Sequence, residues 1–179
     1  MSESVYFIAI VPPPNIQDEI TQLEVLIAER FHSKHALKSP PHITLHMPFK
    51  WNNSKLSLLQ SAMKKINNAF EKFSVDLNGF SFFESRVIYV NTVKNQELTE
   101  LQEKVVDICR KDLKLDNANY KDKPFQPHMT IGFRDLRKPQ FLEAKKYFEK
   151  REYRAKFETN EVALIKYDRG TGKYFPYSH

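Results

Sequence analysis

Two short segments of this sequence repeat one arrangement. Ser39-Pro40-Pro41-His42-Ile43-Thr44-Leu45 is echoed by Phe125-Gln126-Pro127-His128-Met129-Thr130-Ile131, with the histidines 86 positions apart. In each copy proline precedes histidine, an apolar residue separates histidine from threonine, and a second apolar residue closes the set. A lone histidine two positions from a threonine says little. Two matched copies say more, because two imidazoles and two hydroxyls brought together would suit a phosphate ester. A neutral imidazole can take a proton from an attacking water or hydroxyl while a protonated one gives a proton to the leaving oxygen. An unperturbed pKa of about 6.5 lets both forms exist near neutrality. Threonine hydroxyls can donate to non-bridging phosphate oxygens, where transition-state charge is held. This chemistry requires neither a metal nor a covalent nucleophile, and no cofactor is expected.

The spacing is that of a β-strand. Residues i and i+2 share a face, about 6.5 to 7 Å apart at roughly 3.3 Å per residue, and a preceding proline biases the chain toward extended geometry. His42 and Thr44 then point one way and Ile43 and Leu45 into the core; His128 and Thr130 repeat this over Met129 and Ile131. If the strand stays regular, alternation carries His46 onto the His42 face, as a rim group or as a satisfied or solvent-facing histidine, and Arg134 onto the His128 face, beside phosphate charge. An ion pair of Arg134 with Asp135 or a helix residue is the alternative. Lys38, with Lys34 and His35, lies in the polar loop ahead of the first motif and could line the approach of a polyanion. Tyr6 and Phe83 are candidates for stacking on a base, with ordinary packing as the alternative for each. A three-histidine metal site of His42, His46 and His128 fits poorly. Its two nearer members would lie about 13 Å apart on one extended strand, against ligand distances of about 2 Å.

The elements that must position these groups can be read along the chain. Val5 to Val11 is an apolar run expected to be a buried central strand, ended by Pro12, Pro13 and Pro14. A helix to about Phe31 follows, with Ile16, Ile20, Leu23, Ile27 and Phe31 on one face. After the first histidine strand, His42 to Phe49, Ser54 is expected to cap a helix reaching about Phe70. Phe73 to Phe83 and Val87 to Val93 read as a hairpin, and Leu98, Leu101, Val105 and Ile108 mark the next helix. A polar connection from Lys111 to Pro127 leads to the second histidine strand, His128 to Phe133. A helix from about Pro139 to Lys150 and strands Tyr153–Thr159, Val162–Tyr167 and Tyr174–Tyr177 close the chain. Hairpins beside crossovers predict an α+β fold rather than a doubly wound parallel sheet.

Composition sets outer bounds. A chain of 179 residues with 41% hydrophobic and 13% aromatic content fits one packed unit, taken as a single domain over 1–179. A net charge of +6 suits an anionic partner. The run Lys145, Lys146, Lys150, Arg151 and Arg154 could touch phosphates of a longer RNA. The single cysteine, Cys109, sits in the apolar register of its helix, so an intramolecular disulfide and a multi-thiolate zinc site are excluded. With no signal-peptide pattern and no run of membrane-spanning length, a soluble, cytoplasmic protein is expected. Only 4 glycines occur and none forms a phosphate-binding loop, which argues against a nucleoside-triphosphate-dependent ligase.

The paired His-x-Thr-apolar motifs, the opening Tyr6-Phe7-Ile8-Ala9-Ile10, the helix after the prolines, Ser39 to Phe49, Arg86-Val87-Ile88-Tyr89-Val90 and Pro127 to Leu136 resemble the 2H phosphoesterase superfamily. Its branch named 2′-5′ RNA ligase-like is the most similar. The resemblance implies two pseudo-symmetric, intertwined lobes, with antiparallel or mixed sheets lining a central cleft and helices on the outer faces. It further implies opening of a 2′,3′-cyclic phosphate on an RNA end or a nucleotide, formally the reverse of 2′-5′ ligation, by a monomer with no membrane partner. His42 and His128 would be the acid–base pair, and Thr44 and Thr130 would bind phosphate. For opening to a 2′-phosphate, His128 would serve the water and His42 the leaving oxygen; the other regioisomer exchanges them. Two other functions fit the same residues. One is a non-catalytic RNA- or nucleotide-binding module. The other is a hydrolase of a different phosphoester, such as ADP-ribose cyclic phosphate or a 2′-5′ oligonucleotide.

Overall fold

The computed structural model describes residues 2–116 and 123–178. The chain alternates strands and helices: β1 (Glu3–Ile10), α1 (Pro14–Phe31), β2 (Ile43–Asn52), α2 (Leu56–Asn67), β3 (Phe73–Phe83) and β4 (Val87–Thr92), then α3 (Gln96–Leu113), β5 (His128–Gly132), α4 (Lys138–Phe148), β6 (Arg154–Thr159), β7 (Ala163–Asp168) and β8 (Lys173–Pro176). Among the described residues the strands form two sheets of four, ordered β2-β1-β7-β8 and β5-β4-β3-β6. Every pairing is antiparallel. The α+β expectation holds. The long connection from Lys111 to Pro127 divides: α3 runs on to Leu113, and residues 117–122 lie outside the described residues.

Local chemistry accounts for the elements. Pro14 occupies the first turn of α1, where its missing N–H costs nothing and its fixed φ suits the helix. Ile16, Ile20, Ile27 and Phe31 form the buried stripe of α1, each contributing about 1.5–3 kcal/mol of transfer free energy. Asn95 caps α3 by accepting the Leu98 N–H at 2.7 Å, an interaction of about 1 kcal/mol. Ahead of α2 the cap differs from expectation. Asn52, not Ser54, supplies the side-chain acceptor, and a single 3₁₀ turn, Asn53–Lys55, precedes the helix. In β3, Gly79 takes φ +73° where the register with β4 shifts. There the strand leaves β6 and turns toward β4.

The two halves are interlocked. α1 follows a strand of the first sheet but packs on β5 of the second, and α3 follows a strand of the second sheet but packs on β2 of the first. One continuous apolar core therefore takes residues from both sheets and all four long helices. The motif strands β2 and β5 are edge strands of their separate sheets and approach each other without pairing. Side chains at the two edges can thus share a cleft while the rest of each strand stays anchored in its own sheet.

Candidate active site

The alternation of both motifs is visible in the burial. Ile43, Leu45, Met129 and Ile131 are at most 1% exposed, whereas His42, Thr44, His128 and Thr130 are half-buried. All four of the latter line one cavity of about 400 Å³ between the sheets. A larger concavity, about 910 Å³ beside α2 and β7, contains no histidine. The chemistry of the lining, not size, distinguishes the cleft.

The two histidines are held in the same way. His42 Nδ1 lies 2.6 Å from the Pro40 carbonyl oxygen, and His128 Nδ1 lies 2.8 Å from the Gln126 carbonyl oxygen. A carbonyl can only accept, so each Nδ1 carries the proton and donates, leaving Nε2 as the atom available to the cleft. This gives the prolines a purpose beyond starting a strand. Pro41 and Pro127 stand between each histidine and the carbonyl that orients it, and their fixed φ holds that carbonyl in place. Aromatic rings set the ring planes. Phe7 packs against His42 with centroids 4.7 Å apart, while Phe83 and Tyr89 lie 5.0 and 5.2 Å from His128.

The environments differ in degree. Desolvation lowers the His42 pKa to about 4, opposed by its bond to Pro40 and reinforced by the positive charge His128 can carry. His128 is also lowered by desolvation, against the Gln126 bond. The free site at neutral pH therefore holds two neutral imidazoles, and His42 is well below its ordinary value. A phosphate anion between them would raise both.

Several expected neighbours take the expected place. Lys38, Phe83 and Arg134 all line the cleft. Arg134 arrives there from the turn beyond β5, at φ +57°, not by strand alternation, and its guanidinium lies 5.5 Å from the Phe133 ring centroid. Asp135 does not pair with it. Its carboxylate accepts from Ser33 Oγ at 2.6 Å and from the Lys34 and His35 N–H groups at 2.8 and 3.4 Å. Asp135 thereby ties the loop ahead of the first motif to the segment after the second. Those bonds hold its pKa below the ordinary carboxylate value despite partial burial.

Two expectations are corrected. His46 is 1% exposed and packs edge-on against Phe49, away from the cleft. The register of β1 against β2 steps from Ala9↔Thr44 to Ile8↔His46, so Leu45 is an extra residue on β2. That bulge inverts the alternation, and Met47 takes the cleft position. Tyr6 is fully buried against Phe49 and Tyr177. Its neighbour Phe7, on the other face of β1, is the aromatic that this strand places in the cleft. Cys109 is a core residue as read, its thiol pushed up to about 12 mainly by burial. Among the described residues no group of three or more His, Cys, Asp or Glu is placed to hold a metal. None of the described helices is long and apolar enough to cross a membrane.

The sequence reading missed Phe7, Tyr174 and Glu24, which all line the cavity. Glu24 is the most unusual. It is 2% exposed on the buried stripe of α1, and desolvation raises its pKa to about 8. No hydrogen-bond partner for its carboxyl is found among the described residues. Its signal was in the sequence: Glu24 lies four positions after Ile20 and three before Ile27, a carboxyl inside an apolar stripe.

The antiparallel two-sheet fold and the cleft place the chain in a class that sequence comparison also finds. It belongs to the 2′-5′ RNA ligase superfamily, whose family model matches residues 12–171, and its 2H phosphoesterase grouping. A Geobacillus sp. (strain WCH70) protein named as a candidate phosphoesterase is 31% identical over 140 residues, covering 77% of this chain and 73% of its own. A counterpart with the same kind of name in Oceanobacillus iheyensis is 33% identical over 138 residues, covering 76% and 74%. A crystal structure from Thermus thermophilus superposes with a TM-score of 0.69 at 17% identity, covering 97% of this chain and 95% of that one. Escherichia coli LigT complexed with 3′-AMP gives 0.64 at 18% identity, covering 99% and 97%.

Proposed function

We propose that this protein is a metal-independent cyclic phosphodiesterase that opens a 2′,3′-cyclic phosphate on an RNA end or a nucleotide. One observation carries the reading. Two imidazoles from separate sheets, each with Nδ1 bonded to a backbone carbonyl, line one cavity with a threonine beside each. Each Nε2 is then free to take or give a proton at the phosphorus substituents. Thr44 and Thr130 supply donors to the non-bridging oxygens without added charge, and Arg134 and Lys38 neutralise the anion. Glu24, neutral below about pH 8, adds a donor to the same cleft rather than a repelling carboxylate. A structurally similar protein, LigT, has been crystallised with 3′-AMP, a ligand of the kind this cleft would hold.

The unequal imidazoles favour one division of labour. His42, the more depressed, is neutral over the wider pH range and suits the base; His128 is easier to protonate and suits the acid. This exchanges the roles assigned from sequence for 2′-phosphate formation, and corresponds to the other regioisomer. A product-resolved assay on 2′,3′-cyclic mononucleotides and cyclic-phosphate RNA tests the reading, with His42→Ala and His128→Ala alongside wild type. Each variant is expected to lose at least about a hundredfold in rate. Losses below tenfold in both would remove the mechanism, and binding without turnover in wild type would make the protein a binding module.

A further inference from the structure

We propose a second anion subsite beside the histidine cleft, formed by Arg86, Arg134 and Arg137 at the N-terminus of α4, that takes a second phosphate of the substrate. The proposal rests on the reading of the cleft as a phosphoester site and narrows its substrate to one carrying two phosphates. The three arginines line a concavity of about 600 Å³ together with His32, Asp135 and Gln140. Arg134 lines both this concavity and the histidine cleft, so the two adjoin at this residue.

The charge in this concavity is unbalanced. Among the described residues none of the three arginines has a carboxylate partner. The one carboxylate lining the concavity, Asp135, is bonded to Ser33 and to the Lys34 and His35 N–H groups. α4 begins here with Arg137 as its N-cap residue, no side-chain cap and no acidic residue in its first turn, so the positive end of the helix adds to the guanidinium charge. Three arginines against one carboxylate around a single concavity favour an anion of phosphate geometry.

The backbone points to the same place. Among the described residues four non-glycine residues have positive φ, and three of them, His32 (59°), Arg86 (67°) and Arg134 (57°), line this concavity. Glycine takes that conformation freely; other side chains are strained there. Two of the three positions nevertheless carry arginine. Gln140, in the first turn of α4, also lines the concavity. Either the 5′-phosphate of a nucleotide or an internucleotide phosphate of RNA would supply the anion.

Isothermal titration with three probes separates these sources: adenosine 3′-phosphate, adenosine 3′,5′-bisphosphate and a diadenosine dinucleotide ending in a 3′-phosphate. We expect wild type to bind at least one two-phosphate probe at least about tenfold more tightly than the monophosphate, the scale of one charge-assisted hydrogen bond. Whichever probe gains identifies the source. The advantage should show the steeper salt dependence and should collapse toward unity in Arg86→Gly/Arg137→Ala. Glycine suits the left-handed turn at position 86, so misfolding does not explain a loss, and circular dichroism checks the fold. Equal binding of all three probes by wild type, or an advantage that survives the double substitution, overturns the subsite alone. Failure of wild type to bind any of them overturns the phosphoester reading as well.

Discussion

Glu24 offers a quantitative test of how this cleft is built. The residue is 2% exposed, its carboxyl meets no hydrogen-bond donor among the described residues, and its pKa is raised from 4.5 to about 8 by desolvation. At about 1.4 kcal/mol per pH unit, that rise makes ionising Glu24 in the folded chain cost on the order of 5 kcal/mol more than in the unfolded chain. The sign follows from proton linkage. Between pH 4.5 and about 8 the folded chain keeps a proton that the unfolded chain has released, so wild type loses stability as pH rises through this window. Glu24→Gln keeps the shape and cannot ionise. The stability of Glu24→Gln relative to wild type should therefore climb steadily between about pH 4.5 and 8 and level off beyond. The total change approaches on the order of 5 kcal/mol, less where water entering the cleft relaxes the site. Urea unfolding of both proteins across roughly pH 4.5 to 9 measures it, because groups common to both cancel in the difference. A pH-independent difference would mean that Glu24 is ionised or paired, and would refute the account of it as a buried neutral acid.

Other expectations follow from the same geometry. The pH profile of kcat/KM should rise through about 4 as His42 loses its proton and fall again below 6.5 as His128 does, giving a mildly acidic optimum. An optimum above about pH 7.5 would contradict the assigned roles. Thr44→Val and Thr130→Val keep the strand and remove one donor each; kcat/KM should drop about tenfold to a thousandfold in steady-state assays, and unchanged values would remove the threonines from the mechanism. Arg86→Gly should leave stability unchanged or raise it by up to about 1 kcal/mol in urea unfolding, because the left-handed turn at φ 67° strains any side chain. A loss beyond that would show that the Arg86 side chain holds the turn.

The chemistry of this site was legible in the sequence because it is local. Proline, histidine, an apolar residue and threonine at fixed spacing specify a strand start, a cleft-facing pair and a buried pair, and Ile43, Leu45, Met129 and Ile131 are buried accordingly. The period of two and the conformational restriction of proline act within a few residues, so no knowledge of the distant chain was needed. The same reasoning failed at His46, where one added residue in β2 relative to β1, Leu45, is fixed by pairing across strands and leaves no mark on β2 itself. It failed at Tyr6 for a related reason. Val5 to Val11 is apolar on both faces, so composition could not tell which face of the strand meets the cleft, and Phe7 was the answer.

Three features belong to the tertiary structure alone. The two motif strands are edges of different sheets brought together by helices that cross between the halves, a fact that depends on packing over the whole chain. The unequal pKa depression of His42 and His128 depends on how deeply each is desolvated, which residue type does not reveal. Arg86, from the β3–β4 turn, and Arg137, from the start of α4, meet only because the chain returns to one place after some 50 residues. The sequence by itself determined which groups could handle a phosphate ester; the packing of the two sheets decided which of them face it, and in what protonation state.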